Sequence, residues 1–175
     1  VFRKNEGDLD TSVNEYHDMV KNYNKDEYYP LVVDLFNLLG LDSEIGRDGV
    51  NSHRFDAIIK DLKHSIPVEI KSPGEEKNIS VKAVRQALEN KIILLSREAY
   101  PTDIDSVSLV VGYNAPEKRA EVATLIEDIK TTFGFKIALF DFKTLMKLVM
   151  LTIYDEKGVD FDEFRKSQGI IQLEN

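Results

Sequence analysis

Two short runs of strand-forming residues, 54–60 and 66–72, are separated only by Asp61-Leu62-Lys63-His64-Ser65. A link of that length permits a hairpin and little else, so both runs belong to one sheet as antiparallel neighbours. Downstream, helical and strand patterns alternate. After Pro73-Gly74, Ser80 is placed to cap a long helix with Val81, Val84, Leu88, Ile92 and Leu95 on one side. A Val-rich run at 106–113 reads as a buried strand, Pro116 opens a helix reaching Ile129, and 135–140 reads as a strand. Asp141 caps a helix to about Tyr154, and a short helix at 162–166 precedes the apolar piece Ile170-Ile171-Gln172-Leu173. Upstream, a helix begins at Asp26 with Pro30 in its first turn. Its Leu31, Val32, Leu35, Phe36, Leu38 and Leu39 recur at three-to-four spacing until Gly40 stops it. A more polar helical pattern at 11–22 offers Val13, Tyr16, Met19 and Val20. Helix, two or three adjacent strands, helix, strand, helix, strand, helix predicts an α/β fold, a mixed sheet with helices on its faces.

With 175 residues, 42% of them hydrophobic, the chain has material for one core and too little length for two ordinary domains. A single domain over 1–175 is expected, with 1–25 as a polar lead-in. It starts at Val1, which suggests a domain cut from a longer protein. The absence of cysteine excludes disulfides, thiol catalysis and Cys-ligated metals, and it fits a reducing, cytoplasmic setting. Any metal must take oxygen or imidazole ligands, and His17, His53 and His64 lack zinc-ligand spacing. Apolar runs such as Ile92-Ile93-Leu94-Leu95 fall far short of the roughly 20 residues that span a bilayer, so no membrane association is expected. The net charge of -8 repels polyanions. Residues 51–91 alone carry more basic than acidic side chains.

That middle stretch also holds the chemistry. In Pro67-Val68-Glu69-Ile70-Lys71-Ser72, alternation sends Val68 and Ile70 to one face and Glu69 and Lys71 to the other. Asp56 is embedded in the preceding run, and a short hairpin brings it near Glu69. Two carboxylates a few ångströms apart repel and need a cation, for which Mg²⁺ suits an oxygen donor set, with Mn²⁺ as a substitute. Such a cation activates water and polarises a phosphate, while Lys71 orients the water or stabilises the growing charge. The spacing alone leaves a second reading open: a solvated strand face with a cross-strand ion pair, in a non-catalytic interaction domain.

The wider constellation is more specific. Residues 46–56 read Gly-Arg-Asp-Gly-Val-Asn-Ser-His-Arg-Phe-Asp, followed by a strand, a turn and Val-Glu-Ile-Lys. This resembles the signature of the PD-(D/E)xK nuclease superfamily, with Phe55 where the signature has Pro. From about residue 27 to the end, the chain is similar to the cleavage domain of type IIS restriction endonucleases. The helix ending at Gly40-Leu41, the Gly-rich lead into the acid, the acid-x-Lys strand and the helix carrying Gln86 fall in that domain's order. So do Phe140-Asp141-Phe142-Lys143 and Asp162-Glu163-Phe164-Arg165-Lys166. The resemblance implies a restriction-endonuclease-like mixed sheet and Mg²⁺-dependent hydrolysis of DNA. Asp56 and Glu69 become metal ligands and Lys71 the catalytic lysine. It also implies a separate DNA-recognition domain or subunit, and dimerisation for double-strand cleavage. Glu27 is a further candidate acid for the metal. Arg47, His53 and Arg54 around the first acid, and Lys82 and Gln86 on the following helix, are candidate DNA contacts. A repair or recombination nuclease of the same fold is the rival within the class.

Overall fold

Residues 8–46, 54–97, 100–155 and 158–173 are described by a computed structural model, organised around the hairpin that the short link demands. Strands β2 (Ala57–Ile59) and β3 (Ile66–Lys71) pair antiparallel, with Ala57 opposite Val68 and Ile59 opposite Ile66. β1 (Ser43–Ile45) adds antiparallel outside β2. On the other side, β4 (Ser108–Gly112), β5 (Ile137–Asp141) and β6 (Gly169–Ile170) add parallel in succession. The result is a six-stranded mixed sheet in the order β1-β2-β3-β4-β5-β6. Parallel neighbours need crossovers, which helices supply: α3 (Val81–Arg97) joins β3 to β4, and α4 (Val122–Phe133) joins β4 to β5. Both pack on one face through Ala83, Val84, Ala87, Val122, Ile126 and Ile129. The other face takes α1 (Leu9–Val20), α2 (Lys25–Leu38), α5 (Phe142–Asp155) and α6 (Phe161–Phe164). The chain is therefore mixed α/β, a sheet flanked by helices. None of the described helices is long and apolar enough to cross a membrane.

Several boundaries depart from the sequence pattern. α2 starts at a capping box: Asn24 Oδ1 accepts from Asp26 and Glu27 N–H, and Glu27 Oε2 accepts from Asn24 N–H. Pro30 thus lies inside the helix, beyond its first turn. Gly40 ends it as expected, in the left-handed region at φ 85°. From Asp8 onward the polar lead-in is docked. Asp8 caps α1, Val13 and Val20 enter the core, and the His17 ring stacks on Tyr113 with centroids 4.0 Å apart. α4 begins at Val122, well after Pro116, with Glu121 before it at φ 53°. Asp141 does cap α5, accepting from Thr144 N–H at 2.7 Å.

The expected stripe of α3 is buried in part: Val84 is buried, Val81 and Leu88 are partly buried, and Ile92 is 48% exposed. The fully buried face comprises Ala83, Val84, Ala87, Asn90, Lys91 and Leu94. Two of these buried residues are polar, and each has partners. Lys91 Nζ donates to Thr102 Oγ1 at 3.1 Å and to the Asp103 carbonyl, and burial pulls its pKa down to about 8. Asn90 serves the site described next.

Candidate active site

Every residue of β3 is buried. Ile66, Val68 and Ile70 enter the core with α2 and α5, so alternation turns Glu69 and Lys71 toward α3. Lys71 Nζ lies 2.8 Å from Glu69 Oε1, with the two side chains 9% and 5% exposed. Asn90 Nδ2 on α3 donates to Glu69 Oε2 at 2.8 Å. Both oxygens of Glu69 are thereby oriented. This is no solvated strand face.

Asp56 sits one residue before β2, its N–H donating to the Val68 carbonyl at 3.1 Å. Its Oδ2 accepts from Ile70 N–H at 2.8 Å, and Oδ1 carries no hydrogen bond among the described residues. Gly46 supports this segment by donating its N–H to the Asp56 carbonyl at 2.8 Å. A Cβ at residue 46 would collide with the Phe55 carbonyl, so the close approach requires glycine. Phe55 itself is buried in an edge-on contact with Tyr100 and packs with Ile58 and Leu94. An apolar anchor thus stands where the signature has Pro.

Asp56, Glu69 and Lys71 line one cleft of about 370 Å³. Burial and the adjacent Glu69 carboxylate push the Asp56 pKa up to about 7, against the opposing pull of the Ile70 N–H and Lys71. Burial pulls the Lys71 pKa down. The Glu69 hydrogen bond and the charges of Glu69, Asp56 and Glu75 outweigh it, so Lys71 ends above its ordinary value and stays an ammonium.

The other predicted residues divide. Arg54 lines the mouth of the cleft, its Nη1 3.1 Å from Glu89 Oε1. Gln86 lines the cleft too, its buried Oε1 without a hydrogen-bond partner among the described residues. Lys82 is exposed and is not part of the cleft wall. Arg47 and His53 lie outside the described residues. Glu27 is not brought to the cleft: its carboxylate closes the capping box of α2. Residues two apart on a helix point in nearly opposite directions, and it is Lys25 and Tyr29, four apart, that face the site.

Glu75 was not anticipated. It accepts from Tyr29 Oη at 3.0 and 3.1 Å, and from Ser72 N–H and Oγ at 3.0 and 2.9 Å. Burial, with the charges of Asp56, Glu75 and Glu69, holds the Tyr29 phenol far above its ordinary pKa, so it remains a donor. The Pro73-Gly74 turn after Lys71 carried the signal, since a reversal there returns the next acid over the strand end.

The donor set fits a hard divalent cation in kind. Asp56, Glu69, Glu75 and Glu89 line the cleft together with Lys25, Arg54 and Lys71. Among the described residues no three His, Asp or Glu side chains converge closely enough to hold a metal by themselves. Asp56 and Glu69 are the residues that would hold such a cation, with water completing its shell as for Mg²⁺. No family model, curated protein or solved structure matches the chain.

Proposed function

We propose that the chain is a PD-(D/E)xK-type nuclease domain with a restriction-endonuclease-like sheet, hydrolysing DNA phosphodiesters with Mg²⁺, or Mn²⁺ in its place. One observation carries this reading: a buried acid and lysine, Glu69 and Lys71, share an open cleft with the half-buried carboxylate of Asp56. A surface ion pair needs no such burial, and desolvating these groups costs stability that a structural role does not return. The element order from α2 through β3 to the helix bearing Gln86 supports it, as the resemblance requires that order.

Asp56 and Glu69 are the residues that would hold the cation. When bound, it polarises the phosphate and makes a water more acidic. Lys71, kept charged by its neighbours, donates to the phosphate oxygen on which charge grows. Asn90 and the Ile70 N–H fix the two carboxylates in orientation. Water adds to phosphorus as the bond to the 3′ oxygen breaks, leaving a 5′-phosphate and a 3′-hydroxyl. One such site cuts one strand, so double-strand cleavage needs a second copy, and delivery to DNA falls to a recognition domain or subunit.

The test is cleavage of supercoiled and end-labelled linear DNA with Mg²⁺, Mn²⁺ or Ca²⁺, by wild type and Asp56→Asn, alongside calorimetric titration of both with Mn²⁺. Metal-dependent nicking and Mn²⁺ binding, both lost in the variant, are expected. Failure of wild type to bind Mn²⁺ would leave the interaction-domain reading standing, whereas Mn²⁺ binding without cleavage would mark a nuclease that needs its recognition module.

A further inference from the structure

Two cations stand at the mouth of the cleft, Lys25 at the start of α2 and Arg54 two residues before Asp56. They differ in one respect. Lys25 makes no ion pair among the described residues, whereas Arg54 Nη1 is engaged by Glu89 Oε1 of α3 at 3.1 Å. Glu89 neighbours Asn90, whose buried amide is bonded to Glu69, so its backbone is held rigidly beside the site. The Arg54–Glu89 contact is a single hydrogen bond between side chains 59% and 56% exposed.

An exposed, singly bonded pair of this kind contributes little to folding. A guanidinium meets a phosphate through two parallel hydrogen bonds, and prefers it to one carboxylate oxygen. The pair is therefore easily exchanged for a phosphate. While intact, it neutralises Arg54 and leaves Lys25 as the cation at the mouth with no ion pair among the described residues.

We propose that Glu89 is an electrostatic gate: it occupies Arg54 in the free protein and must be displaced by a backbone phosphate of the nucleic-acid strand entering the site. The gate rests on the nuclease reading, since its ligand is a phosphodiester strand. It disfavours capture of passing DNA and leaves engagement to a situation of high local DNA concentration, such as a tethered recognition module provides.

Anisotropy titration of a short labelled DNA duplex with the full chain, in Ca²⁺, tests this. Glu89→Gln binds about three- to tenfold tighter than wild type, and the slope of log affinity against log salt steepens by about one. In an Arg54→Gln background the same substitution changes affinity less than about twofold. Glu127→Gln, exposed on α4, makes the same change in net charge and is the control. Glu89→Gln no tighter than Glu127→Gln, or equally tighter without Arg54, overturns the gate. Binding by wild type with no response to Glu89 overturns the gate alone. No binding by wild type or Glu89→Gln also overturns the gate, while the nuclease reading falls separately, if wild type fails to bind Mn²⁺.

Discussion

Asp56→Asn keeps the side-chain shape and an acceptor for the Ile70 N–H while deleting the charge. In the folded chain this carboxyl ionises near pH 7, against an ordinary 3.8, because it is buried beside Glu69. A group whose pKa is raised by folding holds its proton more tightly in the native state. Its contribution is therefore most favourable in acid and is lost as pH rises through the folded value. A displacement of roughly three pH units, at about 1.4 kcal/mol each, sets a ceiling of about 4 kcal/mol at pH 8. Relaxation and water reaching Oδ1 reduce this, and an amide accepts the Ile70 N–H less well than a carboxylate. The expected net gain for the variant is about 2 kcal/mol. Urea unfolding without divalent cations should show the Asn variant more stable by that amount at about pH 8, and the two proteins converging at about pH 4. Mn²⁺ at about a hundred times its dissociation constant should then stabilise wild type by about 2.7 kcal/mol and leave the variant unmoved. A variant less stable than wild type at pH 8, or a difference independent of pH, would refute the repelled-carboxylate account.

Three other substitutions probe separate supports. Lys71→Met should abolish cleavage and leave Glu69 buried with only Asn90, costing about 3–5 kcal/mol in urea melts at pH 7. Gly46→Ala drives a Cβ into the Phe55 carbonyl and displaces the segment bearing Asp56; a loss of about 2 kcal/mol or more and weaker Mn²⁺ binding are expected by melt and calorimetry. Lys91 titrates near pH 8 when folded, against about 10.4 in an unfolded chain. Wild-type stability should therefore rise between those values as the unfolded state gives up its extra proton. Lys91→Met should lack that rise in denaturation measured across the same range.

The hairpin, its two acids and the lysine were legible because period-two alternation over a short link leaves little freedom in which residues become neighbours. α3 was legible as a helix but its fully buried face only in part, and the reason is physical. Asn90 is buried where β3 presents Glu69, and Lys91 where Thr102 and the Asp103 carbonyl receive its ammonium. A rule seeking apolar stripes follows Ile92 instead. Glu27 was chosen on α2 for its charge, yet the capping box consumes that carboxylate, and the cleft is met by Lys25 and Tyr29. Glu75 belongs to a turn, and turns leave no hydrophobic period to read.

The sheet ends at both sides in very short strands, three residues in β1 and two in β6. Each exposes too few free backbone groups to template a further strand, which protects the chain from edge-to-edge aggregation. Among the described residues, neither edge offers a second copy more than a few backbone groups, so on the nuclease reading two copies would meet through their helical layers, by side-chain packing.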